Sequence, residues 1–527
     1  MPQDKKKYGI TRRNFLLTMA ASAGYFLSNP QESLSFVKPI NESEEVKALV
    51  IGSGFGGAVA ALRLAQAGVP VTIIERGKRW PITNEQNTFS TLFKPDGRSA
   101  WLSKNPVVPG TEFSSIDIFP GVLDRYNENG IGVLAGAGVG GGSLVYGGVT
   151  FQPSKELFYR TFPSELDYTE LDKVFFPRVR SMLKVSPIPK DILQTPNYKS
   201  VKVFLKEAKK AGLPTKLVDV AVDWKIVRQE LTGKKVPSVI QGEGIYGVNS
   251  GAKNSLDRNY LAMAEATGRV SIRTLHIVTD IAQEKDNRFT VFCDIIDLMG
   301  QVVSKKTFIC ESLFLAAGSM GTSKLLVKAK AKGLLPNLND DIGKHWGNNG
   351  DNLFLRAGLA KTGKIQGGYA AASTFDFSNP ISPVTLEQAQ YPIGFECNCL
   401  NHLGMSIPSA RGVFNYKSET DSVSLTWPSG ANDDTTLATK RTVDIINNSN
   451  GGFLIEPPGI DSRFTFHPLG GAVLGKACDL FGRVKGYNKL YVVDGALIPA
   501  ATGCSNPSLT IAAIAERCLD SIIKEDF

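Results

Sequence analysis

Residues Glu44 to Gly77 read EEVKALVIGSGFGGAVAALRLAQAGVPVTIIERG. Ala48–Ile51 is a short apolar run of strand type, and from Ala58 onward apolar residues recur at helical spacing until Gly68 closes the segment. Between them lies Gly52-Ser53-Gly54-Phe55-Gly56-Gly57. A strand, a tight glycine turn and a helix N-terminus in that order form the βα element on which a dinucleotide pyrophosphate rests. Gly52 permits the turn, Gly54 lets backbone amides approach the phosphates, and Gly57 lets the helix pack close to the strand. A second strand follows and ends at Glu75, whose carboxylate is placed to accept from both ribose hydroxyls. The stretch predicts an α/β, Rossmann-like dinucleotide-binding domain.

A second glycine segment separates FAD from NAD. Gly132–Gly148 reads GVLAGAGVGGGSLVYGG, with eight glycines in seventeen residues. It is too rich in glycine for a helix and too apolar for a flexible linker. Gly138, Gly140, Gly141, Gly142, Ser143, Tyr146 and Gly147 read as backbone lying directly against a flat ring system, for which isoalloxazine is the natural occupant. The competing reading is a glycine-rich structural loop.

The rest of the chain sets the bounds. At 527 residues with 42% hydrophobic and 21% charged, it is long enough for two domains, or one large domain with insertions. The formal charge is +9, of which the first thirteen residues carry +4, and the remainder is too dilute to argue for nucleic acid. No run of about 18 apolar residues suggests a spanning helix. The leader KKKYGITRRNFLLTMAASAGYFL, with Arg12-Arg13 ahead of an apolar stretch, resembles a twin-arginine export signal over residues 1–30. Ala21-Ser22-Ala23 is a candidate cleavage site, and a basic amphipathic helix is the alternative. Export by the twin-arginine machinery would make the protein periplasmic or secreted. Seven cysteines at irregular spacing indicate neither a zinc site nor a disulfide framework, so no metal is expected.

Near the C-terminus, Leu490–Val493 reads as a strand leading into Asp494-Gly495, and a helix begins at about Pro507 with Asn506 beside its N-terminus. Phe466-His467-Pro468-Leu469-Gly470-Gly471 sets one of only four histidines between an aromatic, a proline and two glycines. Taken alone, His467 reads as a histidine that ends a strand and donates to a carbonyl.

In company these segments say more. GSGFGG, GVGGGSLVYGG, AAGSMGTSKLL (316–326), HPLGGAVLGKA (467–477) and GRVKGYNKLYVVDG (482–495) occur in one order. They resemble the glucose-methanol-choline (GMC) oxidoreductases, and more narrowly the bacterial cholesterol oxidase subgroup that holds FAD non-covalently. The likeness runs from about residue 45 to the end and includes SLDRNYLAMAEATGRVSIRTLHIV (255–278) and LPNLNDDIGKHWGNNG (335–350). It implies a discontinuous FAD-binding domain from 45–152, 253–333 and 462–527, and a substrate domain with a large antiparallel β-sheet from 153–252 and 334–461. It also implies that the Val278 backbone meets the adenine, and that Asp494, Gly495, Asn506 and Pro507 border the cofactor.

The resemblance implies chemistry too. His467 and Asn506 look like the family's pair opposite the flavin, with the imidazole suited to proton movement and the amide to orienting a hydroxyl. Oxidation of a 3β-hydroxysteroid such as cholesterol with O2 reduced to H2O2, coupled to 5-ene to 4-ene isomerisation, is the implied activity. The isomerisation needs a carboxylate base made more basic by desolvation. Counting back from GVFNY (412–416) gives Glu396, flanked by Phe395, Cys397 and Leu400; Glu387 and a surface carboxylate are the alternatives. Peripheral membrane contact to extract the substrate accompanies this reading.

Three departures bear on the substrate. Tyr146 stands where the family has asparagine, Cys504-Ser505 precedes Asn506, and the covering stretch Asn105–Asp124 looks short. A GMC oxidase or dehydrogenase for another bulky alcohol with a non-oxygen acceptor is the first alternative. A flavin protein that binds sterol without turnover and a light-driven fatty-acid decarboxylase are more distant ones.

Overall fold

The computed structural model describes residues 41–108, 114–390, 394–455 and 463–527. The twin-arginine leader and the middle of the short covering stretch lie outside these residues.

The opening stretch forms β1 (Asn41–Ile51), α1 (Phe55–Gln66) and β2 (Val71–Ile74). Ala48–Ile51 and all of β2 are buried, as expected for strands covered on both faces. The chain continues through β3 (Leu123–Glu128), β4 (Ile131–Gly136), helix α2 (Phe176–Leu183), helix α3 (Lys199–Lys210), β5 (Thr215–Leu217), β6 (Val270–Arg273), β7 (His276–Gln283), β8 (Phe289–Ile296) and β9 (Val302–Leu315). Helix α4 (Gly318–Ala331) follows, then β10 (Asn352–Ala357), β11 (Ala372–Asp376), β12 (Val384–Ala389), β13 (Cys399–Met405), β14 (Val413–Lys417) and β15 (Ser422–Thr426). Helix α5 (Asp433–Asn450), β16 (Phe453–Ile455), β17 (Phe464–Thr465), β18 (Leu490–Val492) and helix α6 (Pro507–Asp526) complete it.

Two large sheets organise these elements. The first has the order β6-β2-β1-β9-β8-β7, with β18 also pairing to β9. Its β6, β2, β1, β9 and β18 pairings are parallel, while β8 and β7 add an antiparallel edge. The second, β16-β10-β13-β12-β11-β5, is antiparallel throughout. This is the mixed architecture expected from the sequence: a Rossmann-like sheet assembled from distant segments, and a large antiparallel sheet. Leu386 and Leu400 of the second sheet join Phe204 of α3 and Val443 and Ile446 of α5 in one apolar core. Strand alternation then turns Leu353, Glu387, Asn401 and Leu403 to the opposite face, which walls a cavity.

The first and last helices are fastened by a buried carboxylate. Glu516 of α6 accepts from Arg63 of α1 through two bonds of 2.7 Å, from Arg178 of α2 at 3.1 Å and from Tyr260 at 2.8 Å. Its side chain is fully buried, so these donors supply what water would otherwise provide. Glu516→Gln leaves the partly buried guanidinium of Arg63 without its charge partner. We expect a loss of about 3 kcal/mol, read as an earlier denaturant midpoint, with Leu437→Ala on the exposed face of α5 as the neutral control.

Candidate active site

The glycine turn is shaped by backbone contact. Gly52 has φ +96°, its N–H donates to the Ile74 carbonyl at 2.8 Å, and a β-carbon there would lie 2.4 Å from the Ala316 carbonyl oxygen. A β-carbon on Gly56 would fall 1.9 Å from the Val493 carbonyl oxygen, so α1 begins pressed between the ends of β1, β9 and β18. No side chain caps this helix, which leaves its first amides for a ligand.

The second glycine segment meets the first. A β-carbon on Gly141 would lie 2.8 Å from the Gly54 α-carbon. Both line one cavity of about 810 Å³. Gly52, Gly54, Phe55, Gly56, Glu75, Gly141, Gly142, Tyr146, Gly147, Val278, Asp494, Gly495, Asn506 and Pro507 all line it. Gly57, Gly138, Gly140 and Ser143 stand behind the wall: Gly57 abuts the Gly52 carbonyl, Gly138 the Trp80 ring, and the Ser143 hydroxyl donates to the Gly140 carbonyl at 2.7 Å.

Glu75 is engaged with its own loop. It accepts from the Ser53 N–H at 3.1 Å, the Ser53 hydroxyl at 2.7 Å and the Gly77 N–H at 2.9 Å, which fixes the carboxylate at the cavity edge. Lone pairs remain for a ribose. An uncapped helix start, a glycine cradle and a fixed acid fit a dinucleotide.

In the same cavity His467, Asn506 and Glu387 come together, with Asp351 behind His467. His467 follows β17, and its Nδ1 lies 2.8 Å from Asp351 Oδ1. Asn506 stands at the N-terminus of α6 but does not use its side chain as a cap. Its amide instead donates to Glu387 Oε2 of β12 at 3.2 Å, leaving Glu387 Oε1 and Asn506 Oδ1 buried without partners. Burial pushes the Glu387 carboxyl up to about 7, against the opposing pull of the Asn506 amide and of His467. Burial alone would lower the His467 imidazolium, but the charge and hydrogen bond of Asp351, with Glu387 behind them, raise it. Among the described residues no cluster of His, Cys, Asp and Glu could hold a metal.

The comparisons with known proteins agree with this arrangement. GMC oxidoreductase family descriptions match residues 46–345 and 460–515, and the GMC oxidoreductase C-terminal description matches 349–455. The chain belongs to the GMC oxidoreductase family. It is 27% identical over 548 aligned positions to a cholesterol oxidase of Mycobacterium tuberculosis, covering 89% of each chain. It is 25% identical to a cholesterol oxidase of Acinetobacter baumannii, covering 90% of this chain and 94% of that one. In fold it is similar to pyridoxine 4-oxidase from Mesorbium loti (TM-score 0.60, 14% identity, 92% of this chain and 100% of that one). It is likewise similar to a fungal aryl-alcohol oxidase (TM-score 0.62, 15% identity, 91% and 99%). As a GMC oxidoreductase it is an FAD-binding oxidoreductase that acts on alcohols.

Within this GMC chain the position expected for the base needs correction. Glu396 does not line the cavity. It closes a surface loop, accepting from the N–H groups of Thr362 at 3.0 Å, Gly363 at 2.8 Å and Asn398 at 3.0 Å. Its carboxyl is held below the usual range because these bonds outweigh the opposing effect of partial burial. The apolar neighbour that suggested burial, Phe395, is 60% exposed. GVFNY belongs to the separate β14–β15 hairpin and not to the large sheet, so counting from it lands beyond the cavity strand.

Two residues that brace the cavity wall from behind were not foreseen in sequence. Asp351 sits in an Asn/Gly-rich turn and reads there as a turn residue. Lys253 is buried, donates to the carbonyls of Leu144 at 3.0 Å and Tyr146 at 2.8 Å, and lies against the Tyr146 and Tyr369 rings. Burial draws its ammonium down to about 7 while it pins the second glycine segment. Tyr146 points its ring at Phe55, 5.5 Å between centroids, and its buried hydroxyl has no partner.

The raised carboxyl of Glu387 has a consequence for stability. Its folded value lies above the ordinary one, so the fold favours the protonated form; that contribution is complete below about 4.5 and lost as pH rises through about 7. Compared with Glu387→Gln, the wild type should lose roughly 3 kcal/mol between about pH 4 and about pH 8. Parallel denaturation curves for the two proteins that stay equally spaced across this range would contradict the placement of Glu387.

Proposed function

We propose that this GMC oxidoreductase oxidises a 3β-hydroxysteroid to the 3-ketone and isomerises the 5-ene product to the conjugated 4-ene-3-ketone. The observation that carries the reading is Glu387, a cavity carboxylate hydrogen-bonded to Asn506 beside His467. Alcohol oxidation alone needs a base for the hydroxyl proton; a second, desolvated carboxylate is what an allylic proton shift requires.

FAD, when bound, supplies the acceptor for the hydride that leaves the carbinol carbon. His467 accepts the hydroxyl proton as the C=O bond forms, and Asn506 orients the oxygen. Glu387 removes a proton from C4 and returns it at C6, so the double bond moves without net gain or loss of protons. Leu92, Ile245, Leu353, Leu403 and Phe466 give the cavity apolar walls that exclude water from these transfers. The likeness to two cholesterol oxidases over most of the chain supports the sterol assignment. Non-covalent attachment of FAD and transfer of electrons to O2, giving H2O2, belong to the same proposal.

Export by the twin-arginine route to the periplasm or the exterior is also proposed, supported by Arg12-Arg13 and the apolar stretch behind them. Among the described residues no helix is long and apolar enough to cross a membrane. Peripheral contact suits Leu359, Phe395 and Phe453, which are 77%, 60% and 64% exposed at one end of the second sheet, near the exposed Lys361 and Lys364.

Anaerobic mixing of the yellow protein with a panel of sterols and simple alcohols tests the substrate class through flavin bleaching. Bleaching by simple alcohols alone would defeat the sterol reading. Glu387→Gln should retain alcohol oxidation and accumulate the 5-ene-3-ketone, whereas Glu396→Gln should form 4-ene product as the wild type does. His467→Ala should slow bleaching by about 10²-fold or more.

A further inference from the structure

His467 does not stand alone at the cavity wall. Its Nδ1 meets Asp351 Oδ1 at 2.8 Å, and the second oxygen of Asp351 is held by the Thr465 hydroxyl at 2.7 Å and the Phe466 N–H at 3.1 Å. The Asp351 side chain is 2% exposed and that of His467 15%. The backbone N–H of His467 donates to the same Thr465 hydroxyl oxygen at 2.9 Å, so ring, carboxylate and strand end are locked as one unit.

A carboxylate can only accept, so Nδ1 carries the hydrogen. The remaining nitrogen, Nε2, is then an acceptor available to the cavity that His467 lines. We propose that Asp351 is a positioning residue: it fixes His467 in the Nδ1–H tautomer and offsets with its buried charge the imidazolium that forms when Nε2 takes a proton. The inference rests on His467 as proton acceptor, and its first test needs no turnover. A hydrogen-bonded neutral partner at position 351 would hold the ring but not its charge.

The chain has four histidines, which makes the test practical. In the FAD-loaded full chain with isotope-labelled histidine, NMR reads both tautomer and titration, with His467→Gln identifying the signals. The wild type should show a protonated Nδ1. Asp351→Asn should lower the His467 midpoint by about one pH unit or more. Asp351 and Glu387 are the charged groups that bear on this ring, so the comparison is repeated with Glu387→Gln. A wild-type ring protonated at Nε2 when neutral, which needs no variant to observe, overturns the proposal. So does an unchanged midpoint in Asp351→Asn.

Flavin bleaching against pH adds a second readout. Neutral imidazole is the active base, so the rate should rise with pH through the elevated His467 midpoint. In Asp351→Asn that acid limb should move to lower pH while the plateau falls. A lower plateau with an unmoved limb would reduce Asp351 to a structural role. If no sterol bleaches the flavin, the NMR outcome still decides Asp351 while the substrate reading fails by itself.

Discussion

The site depends on one turn, Gly347–Asp351. Gly347 exchanges backbone bonds with Leu469 at 2.8 and 3.0 Å, which fixes the segment carrying His467. Asn349, in the left-handed region at φ +58°, accepts from the Thr502 N–H at 3.0 Å and donates to the Ser505 carbonyl at 2.9 Å, which fixes the residue before Asn506. Asp351 closes the turn onto His467 and leads directly into β10 of the second sheet. Two segments far apart in sequence, together with the start of β10, are thus referenced to five consecutive residues.

The two glycine segments were legible because their constraint, although imposed by distant segments such as Ala316 and Val493, admits only one residue type. Where a β-carbon would strike a carbonyl at about 2 Å, only glycine serves, and the pattern is written into the residue identities. His467 and Asn506 were legible for a related reason, since each adjoins a contiguous, compositionally unusual stretch. Glu387 was harder. VTLEQA shows its two faces only once its partners are known: Glu387 pairs with Ser373 on one side and Leu403 on the other, and this register turns it inward. Glu396 lies one loop beyond, where a local apolar neighbourhood says nothing of burial. Asp351 and Lys253 were invisible for the same reason, because their surroundings are built by segments more than a hundred residues away.

The second sheet and the Rossmann-like sheet divide the labour. Backbone amides, glycines and Glu75 come from the first sheet and its turns, which suits recognition of a ligand defined by phosphates and flat rings. The ionisable side chains of the site come from β12, the turn before β10 and the segment after β17. Two residues fall outside this division: His467 follows β17, which pairs with β4 apart from both large sheets, and Asn506 stands at the start of α6 and reaches across to Glu387 of the second sheet. That contact joins the two layers at the cavity wall.

Two buried carboxylates flank one imidazole, and their hydrogen bonds assign them different tasks. Asp351 has donors on both oxygens, from His467, Thr465 and Phe466, so its charge is satisfied and its geometry fixed. Glu387 has Asn506 on one oxygen and nothing on the other, and burial raises it to about 7. A group so poised can hold a proton or release it near neutral pH, as the proposed shuttle between two carbons requires, whereas the donors on Asp351 fix its orientation toward His467. The unpartnered oxygen of Glu387 is therefore the point in the site where an added hydrogen-bond donor would most favour the charged form.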